Sequence, residues 1–140
     1  SDITSSGMYS DDMVTATNLF QNIVTDYVGD LVVNGEMAIQ SWVKYDDSWY
    51  WVNAQGAMVT DSWIPITNNW YYVGQDGKML ANTWFEYNNR SYYLTESGAA
   101  AKGWLEIDGK WYYFDRTNGD MKKSTSIDGY RLNDDGVYVQ

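Results

Sequence analysis

The sequence predicts an all-β fold, a solenoid of stacked β-hairpin repeats of about 20 to 21 residues each. Three observations support this: an internal period, an aromatic pattern within each period, and a shortage of helix signals. Glycines recur every 21 residues, at Gly35, Gly56, Gly77, Gly98 and Gly119. Methionine follows four of them two positions later, at Met37, Met58, Met79 and Met121. Such a period is typical of repeats that bury their apolar faces only against their neighbours.

Tryptophan leads each unit. Trp42, Trp63 and Trp84 keep the 21-residue spacing, and Trp104 falls one residue early. An extra residue in FDRTNGDM restores the spacing. Seven residues after each leading Trp comes an aromatic triplet, in chain order WYW, WYY, SYY and WYY. The third triplet begins with Ser91, so this unit lacks its second tryptophan.

Each unit therefore predicts a Trp-led strand, a polar turn, an aromatic strand and a Gly turn. In the first unit these are WVKY, DDS, WYWV and NAQGAM. Alternation places Trp42 and Lys44 on one face of their strand, and Trp49 and Trp51 share a face opposed by Tyr50. We expect the middle tyrosines of the triplets to lie mostly in the core and the glycines to need positive φ. These tyrosines are Tyr50, Tyr71, Tyr92 and Tyr112. A single hairpin is marginal in water, so successive hairpins must stack.

The two ends depart from the repeat. We divide the chain into an N-terminal segment with a degenerate or capping repeat (1–39), four repeats (40–123) and a C-terminal capping hairpin (124–140). The best helix signal lies at 13–28, but its many β-branched residues favour strand or irregular structure. Thr125 stands near the place of the next leading Trp, and the hairpin after it is shortened. Lost aromatics at an end suggest a cap rather than a binding unit.

Composition excludes several function classes. The net charge of −10 argues against nucleic acid, whose phosphates demand Lys and Arg. Cysteine is absent, so we expect no disulfides and no thiolate-bound zinc. No apolar run approaches the ~18 residues that span a bilayer, so no membrane insertion is expected. The opening SDITSSGMYSDDM lacks the regions of a signal peptide, and the chain is interpreted as a mature fragment.

An enzyme is not expected either. Without His or Cys the chain has no His-based triad, no Cys nucleophile and no His-based zinc site. Glu86 and Glu106 could form a glycosidase pair, but they occupy equivalent repeat positions, whereas catalysis needs two differently tuned carboxylates. Asp134 and Asp135 lack the spacing of a calcium loop. No catalytic residue, metal or cofactor is predicted, and any catalysis would lie in a separate domain.

The units SWVKYDDSWYWVNAQGAMV, SWIPITNNWYYVGQDGKML and GWLEIDGKWYYFDRTNGDMKK resemble the cell-wall-binding repeats of Gram-positive surface proteins, which include choline-binding modules. Related repeats occur in the glucan-binding regions of glucansucrases and in clostridial toxins. The resemblance implies a secreted module of a larger cell-surface or cell-wall-associated protein. It also implies either of two ligands, choline on teichoic acids or an α-glucan.

In choline-binding modules the quaternary ammonium sits between consecutive hairpins, in a cage of three rings. The resemblance implies that these are the leading Trp, the first aromatic of the second strand and a ring of the next repeat. One cage would then combine Trp42, Trp49 and Trp63, and the next Trp63, Trp70 and Trp84. Met58 and Met79 would line the walls.

Two further cages would be incomplete. The third has Trp84 and Trp104 but Ser91 where a ring is needed, unless Tyr92 turns in. The fourth keeps Trp104 and Trp111 but meets Thr125 instead of a leading Trp, which leaves it open on one side. Family members also carry a Gly before each leading Trp, which survives here only as Gly103.

Cation–π attraction makes such a cage plausible, because ring faces attract a cation that cannot donate hydrogen bonds, by ~0.5 to 2 kcal/mol per ring. The function that we expect is noncatalytic extracellular attachment through choline. Two alternatives stay open: stacking of α-glucan rings on the same aromatic row, and a protein adhesion surface. For any one leading Trp, packing alone explains the residue as well as contact with a ligand does.

Overall fold

The fold is taken from a computed structural model, which describes residues 32–33, 36–37 and 39–140. The stretch 13–28 and most of the predicted N-terminal segment lie outside the described residues. The described part of the chain contains strands and turns but no helix, so the all-β prediction is confirmed. It therefore offers no helix with the length and apolar character needed to cross a membrane.

The strands pair with their neighbours in sequence as antiparallel hairpins. Four hairpins have five-residue strands: β3 (Ser41–Tyr45) with β4 (Ser48–Val52), β5 (Ser62–Ile66) with β6 (Asn69–Val73), β7 (Thr83–Tyr87) with β8 (Arg90–Leu94), and β9 (Gly103–Ile107) with β10 (Lys110–Phe114). They are preceded by the short pair β1 (Val32–Val33) and β2 (Glu36–Met37). A three-stranded sheet follows, β11 (Thr125–Ile127), β12 (Tyr130–Leu132) and β13 (Tyr138–Val139). The hairpin repeats are confirmed, whereas their stacking into a solenoid and the boundaries at 39 and 123 stay predictions.

Two-residue turns close most hairpins. Between β3 and β4 the turn residues Asp46 and Asp47 have φ values of 50° and 65°. Positive φ at both central positions is the requirement of a type I′ turn, which matches the right-handed twist of the paired strands. The turns Asn88-Asn89, Asp108-Gly109 and Asp128-Gly129 have the same signs of φ. Asp, Asn and Gly tolerate this conformation best, so local sequence sets where each hairpin turns.

Cross-strand register separates an aromatic face from a core face. In the first hairpin Trp42 lies opposite Trp51, and Lys44 lies opposite Trp49. The other face carries Tyr50, which is 7% exposed, and its neighbour Val52 is fully buried. The predicted alternation is therefore correct for this hairpin. Of the other middle tyrosines, Tyr92 is buried as predicted, while Tyr71 and Tyr112 are only half-buried.

The periodic glycines adopt the predicted left-handed conformation. Gly56, Gly77, Gly98 and Gly119 have φ values of 83°, 86°, 92° and 82°. At Gly77 a second constraint operates, because an added Cβ would lie 2.9 Å from Sδ of Met58. Both the backbone conformation and the lack of space therefore require glycine there.

Contacts divide the described residues into two compact units: a first one up to residue 64 with 72–80, and a second one of 65–71 with 81–140. In the first unit the amide of Met79 donates to the carbonyl of Trp49 at 2.8 Å. In the second unit the amides of Ala100 and Met121 donate to the carbonyls of Trp70 and Ser91, also at 2.8 Å. After the turns at Gly77, Gly98 and Gly119 the chain thus bonds to the backbone of the hairpin one repeat earlier.

Each unit has its own buried residues. Those of the first unit are Tyr50, Val52, Ile64, Tyr72 and Val73. In the second unit Ala101, Ile107 and Phe114 form one cluster, against which Leu105 and Met121 also pack. Leading tryptophans also reach these buried groups: the Trp84 ring lies 5.9 Å from the ring of the buried Phe114, and Trp63 packs against the buried Tyr72.

Candidate functional site: an aromatic pocket

Four rings line an open cavity of about 340 Å³ in the second unit: Trp104, Trp111, Tyr130 and Tyr138. We call it the C-terminal aromatic pocket. The centroid of the Trp104 ring lies 5.8 Å from that of Tyr130 and 6.4 Å from that of Tyr138, both edge-on. Tyr130 and Tyr138 lie 5.5 Å apart, again edge-on. Such edge-to-face packing stabilises the arrangement of the rings around the cavity.

The β9–β10 hairpin positions the two indoles. Trp104 lies opposite Tyr113 and Trp111 opposite Glu106, so all four side chains share one face. The Tyr113 ring packs edge-on against Trp104 at 5.1 Å, which holds the indole in place. Trp111 is 44% exposed and therefore presents a ring face to solvent. The exposed carboxylate of Glu106 adds negative charge beside it.

The C-terminal sheet supplies the two phenols. Tyr130 begins β12 directly after the Asp128-Gly129 turn, and Tyr138 begins β13 opposite Leu132. Leu132 is fully buried and anchors this sheet, while Tyr130 is 52% exposed. Tyr130 shares its strand with the buried Leu132, and Tyr138 pairs with Leu132 from the next strand, so one anchor positions both phenols.

This arrangement adds two rings that the sequence analysis did not name. Tyr130 and Tyr138 line the cavity beside Trp104 and Trp111, although Thr125 stands near the place of the next leading Trp. The C-terminal sheet thus contributes half of the rings, while its role as a cap stays a prediction. The repeat pattern predicts a ring only at the place of the leading Trp. The Asp128-Gly129 turn matches Asp108-Gly109 and marks a further hairpin, but it aligns Tyr130 with Lys110 rather than with Trp111, so the sequence carries no periodic signal for this ring.

The first predicted cage contains a built-in cation. Trp42 packs edge-on against Trp51 at 5.2 Å. Trp49 is 41% exposed, and the ammonium of Lys44 lies 5.9 Å from its ring centroid. The closure of this cage by Trp63 stays a prediction.

The rings predicted for the second cage have other described neighbours. Trp63 packs edge-on against Tyr72 at 5.1 Å. Trp70 is exposed and lines a polar cavity together with Lys102 and Arg116. Their meeting with Trp84 in one cage stays a prediction.

The third predicted cage has no ring at its second position. The hydroxyl of Ser91 donates to the Glu86 carboxylate, and Tyr92 is buried on the other face of β8. The Trp84 ring instead packs against Tyr93 at 5.3 Å and Tyr112 at 4.9 Å. Ser91 therefore leaves Trp84 without the partner that Trp104 has in Trp111.

The two predicted wall methionines have described neighbours in the first unit. The thioether of Met58 lies against Gly77, where the buried Tyr50 ring is also close. Its role as a cage wall stays a prediction. Met79 is tied by its amide to the Trp49 carbonyl, and its role as a wall stays a prediction.

Ionisable groups with shifted pKa values lie outside the pocket. Burial, with a smaller contribution from the charge of Asp76, raises the pKa of Tyr50 to about 12. Burial also raises the pKa of Tyr92. Hydrogen bonds from the backbone amides of Asn118 and Thr117 lower the pKa of Asp115. In the described part of the chain no group of three or more His, Cys, Asp or Glu side chains is arranged to hold a metal.

The family is identified by comparison with known repeats. Models described as choline-binding repeat match residues 36–78, 57–100 and 86–126. Together these matches run from residue 36 to residue 126, well over half of the sequence. The chain belongs to the choline-binding repeat family.

Solved structures agree with this assignment. CbpJ from Streptococcus pneumoniae is 32% identical with a TM-score of 0.58, over 76% of this chain and 42% of that one. Choline binding protein F from Streptococcus pneumoniae is 32% identical with a TM-score of 0.57, over 79% of this chain and 43% of that one. Another structure of the latter protein is a complex with ipratropium.

A third match is the modular Cpl-1 endolysin complexed with a peptidoglycan analogue. It is 30% identical with a TM-score of 0.56, over 61% of this chain and 25% of that one. The chain therefore spans less than half the length of these structures. No curated protein sequence matches it.

Proposed function

We propose that this chain is a noncatalytic attachment module that binds the choline groups of cell-wall teichoic acids. One observation carries the proposal: the C-terminal aromatic pocket, in which four rings line a cavity of about 340 Å³. A trimethylammonium group is compact, cationic and unable to donate hydrogen bonds. Ring faces are its natural partners, because the negative face of each ring attracts the charge without requiring a hydrogen bond.

The expected affinity of one pocket is modest. Each ring contributes ~0.5 to 2 kcal/mol, and three or four rings together correspond to roughly millimolar dissociation constants. A teichoic acid carries many choline groups, so several weak pockets on one array gain avidity without new contacts. Weak single sites thus suit attachment to a polymer.

Charge favours a cationic ligand over a neutral one. The chain carries a net charge of −10, and Glu106 lies opposite Trp111 at the pocket. Family membership supports the same ligand, since choline binding protein F is named for it. The ipratropium in a second structure of that protein is itself a quaternary ammonium compound.

The proposed ligand also implies a cellular location for the chain. A choline-binding module acts where teichoic acids are exposed, so the chain would be extracellular and cell-surface or cell-wall associated. In the modular Cpl-1 endolysin the matching part is 25% of the chain. We infer that this module likewise holds a larger surface protein in place, and that any catalysis belongs to another domain.

Nuclear magnetic resonance of the indole N–H groups tests the proposal. The intact chain is titrated in parallel with choline chloride and with a soluble α-glucan. We expect choline to shift the signals of Trp104 and Trp111 at millimolar concentration, and Trp111→Ala to abolish the shift of Trp104. The matched control is Tyr45→Ala, which removes an exposed ring from the opposite face of its hairpin.

The alternatives give different results. A response to glucan alone would overturn choline recognition and favour sugar stacking on the exposed indoles. Unchanged indole signals with both ligands would favour a protein adhesion surface.

A further inference from the structure

A second cavity of about 420 Å³ lies in the second unit and has a different chemistry. We call it the polar pocket. One wall is the tip of the β5–β6 hairpin, with Asn68, Asn69 and Trp70, and the opposite wall holds Lys102, Arg116 and Thr117. Amide, hydroxyl and cationic donors therefore surround one exposed indole.

Lys102 is positioned across this cavity. Its ammonium donates a hydrogen bond to the backbone carbonyl of Asn68, which joins the two walls. An ammonium has three N–H donors, so two remain after this bond is made. The hydrogen bond orients the charge without neutralising it.

Arg116 is held in place by its surroundings. Its guanidinium lies 5.7 Å from the centre of the Tyr113 ring. It also lies against Gly103, where an added Cβ would come within 2.9 Å of the guanidinium Nη1. Gly103 thus makes room for the cation, which explains in this unit why Gly stands where the other repeats have Ser or Thr.

The polar pocket concentrates positive charge in an acidic chain. The chain has nine Lys and Arg residues against nineteen Asp and Glu, and two of the nine line this cavity. In the part of the chain that the structure describes, the ion pairs are those of Lys122 with Asp115 and Asp120. Among the described residues no carboxylate is paired with Lys102 or Arg116, and no Asp or Glu of that part lines the cavity.

We propose that the polar pocket binds a phosphate-bearing sugar or polyol. Arg and Lys together are suited to a phosphate group, Arg through its planar fork and Lys as a point charge. Asn and Thr side chains can bond hydroxyl groups, and the Trp70 face can pack against the C–H groups of a sugar ring. A neutral glycan would leave the two cations unmatched, and a bare phosphate would leave the indole uncovered.

This site does not depend on choline recognition. Its residues are absent from the C-terminal aromatic pocket, so each proposal can fail while the other stands. The phosphate could come from a free sugar phosphate or from the backbone of a teichoic acid, and both present the same chemistry.

The test compares three small probes on the intact chain: glucose 6-phosphate, inorganic phosphate and glucose. Chemical shifts of the Trp70 indole and of the Lys102 and Thr117 amides report binding. We expect glucose 6-phosphate to bind most tightly and 0.5 M NaCl to weaken it several-fold, because the attraction is between charges near the surface. Equal binding of glucose would overturn the role of charge, and equal binding of inorganic phosphate would overturn the role of the sugar.

Two lysine variants, one inside the pocket and one outside it, test the role of the Lys102 charge. Lys102→Gln keeps a donor for the Asn68 carbonyl but removes the charge, and we expect it to weaken glucose 6-phosphate binding about tenfold. Lys110→Ala removes an exposed lysine of the same unit outside the pocket and should bind like the parent. Unchanged binding by a folded Lys102→Gln would refute the site. A purified teichoic acid without choline then identifies the source: competition with glucose 6-phosphate assigns the polymer, and no competition assigns the free sugar phosphate.

Discussion

The ammonium of Lys44 lies 5.9 Å from the centre of the Trp49 ring, so the first hairpin brings its own cation to an exposed indole. The two residues are direct cross-strand partners. In the fourth repeat the same two places are taken by Glu106 and Trp111. One ladder position therefore carries opposite charges beside equivalent rings, and it should tune how strongly each ring attracts a cationic ligand.

Removal of the Lys44 charge should strengthen choline binding at Trp49. An exposed cation–π contact is worth ~0.5 to 1 kcal/mol, so Lys44→Ala should raise the affinity there about two- to fivefold. Glu106→Lys should lower the affinity at Trp111 by a similar factor. Choline titrations followed at the indole N–H of each Trp measure both effects separately. Unaltered affinities in both variants would show that this position does not influence the rings.

The phenol rings of the C-terminal sheet should be needed for the aromatic pocket. Tyr130→Ala removes a ring that lies 5.8 Å from Trp104, and we expect choline binding there to weaken about tenfold. Because the Tyr130 side chain is half exposed, the loss of folding stability should be small. Tyr130→Phe keeps the ring and should retain most of the affinity. If Tyr130→Ala binds as the parent does, the pocket is closed by other groups.

A new site should appear when the missing ring is restored. Ser91 lies opposite Glu86, at the position that Trp111 occupies opposite Glu106. Ser91→Trp would place an indole near the exposed Trp84 and leave a carboxylate beside it. Isothermal titration with choline should then give one more binding site per chain than the parent. Ser91→Leu is the control, since it adds apolar volume without an aromatic face.

Gly77→Ala should destabilise the fold by roughly 1 to 3 kcal/mol, because Ala is strained at positive φ and its Cβ would press on Met58. Gly109→Ala is a matched control: φ is +81° there, but an added Cβ meets nothing within 4 Å. Urea unfolding of both variants separates backbone strain from crowding. Equal losses would mean that Met58 moves aside at no cost.

Alkaline unfolding should depend on Tyr50. Burial raises its folded-state pKa to about 12, above the ordinary value of 10.0. The neutral phenol is favoured in the folded state, so the stabilisation is complete below pH 10 and is lost as the pH rises towards 12. The free energy of unfolding, measured by urea titration at pH 9 to 12, should therefore fall less steeply for Tyr50→Phe. Parallel pH profiles would show that other groups control alkaline unfolding.

The period and the turn chemistry were sufficient to predict the hairpins, because backbone conformation here is set locally. The turn at Gly56 requires positive φ whatever the packing of the rest of the chain. Alternation alone places Trp42 and Trp51 on one face of their hairpin and Tyr50 on the other face. These features depend on neighbours within one unit. In a repeated sequence the same local signals occur in several units, and each occurrence supports the prediction made from the others.

The closing rings of the site were harder to predict. Tyr130 and Tyr138 reach Trp104 from strands that have lost the repeat spacing, so no periodic alignment brings them together. The two cations of the polar pocket lie 14 residues apart in the sequence, and their meeting depends on packing around Gly103. Side-chain convergence between elements is not a property of any single repeat.

The links from Met79, Ala100 and Met121 end on the carbonyls of Trp49, Trp70 and Ser91, and so use only main-chain atoms. The side chain of the residue whose carbonyl accepts the hydrogen bond therefore takes no part in this link between hairpins. Over evolutionary time an indole there can be exchanged for a hydroxyl, as Ser91 illustrates, without breaking that link. Ligand capacity can thus rise or fall by single substitutions while the architecture is inherited unchanged.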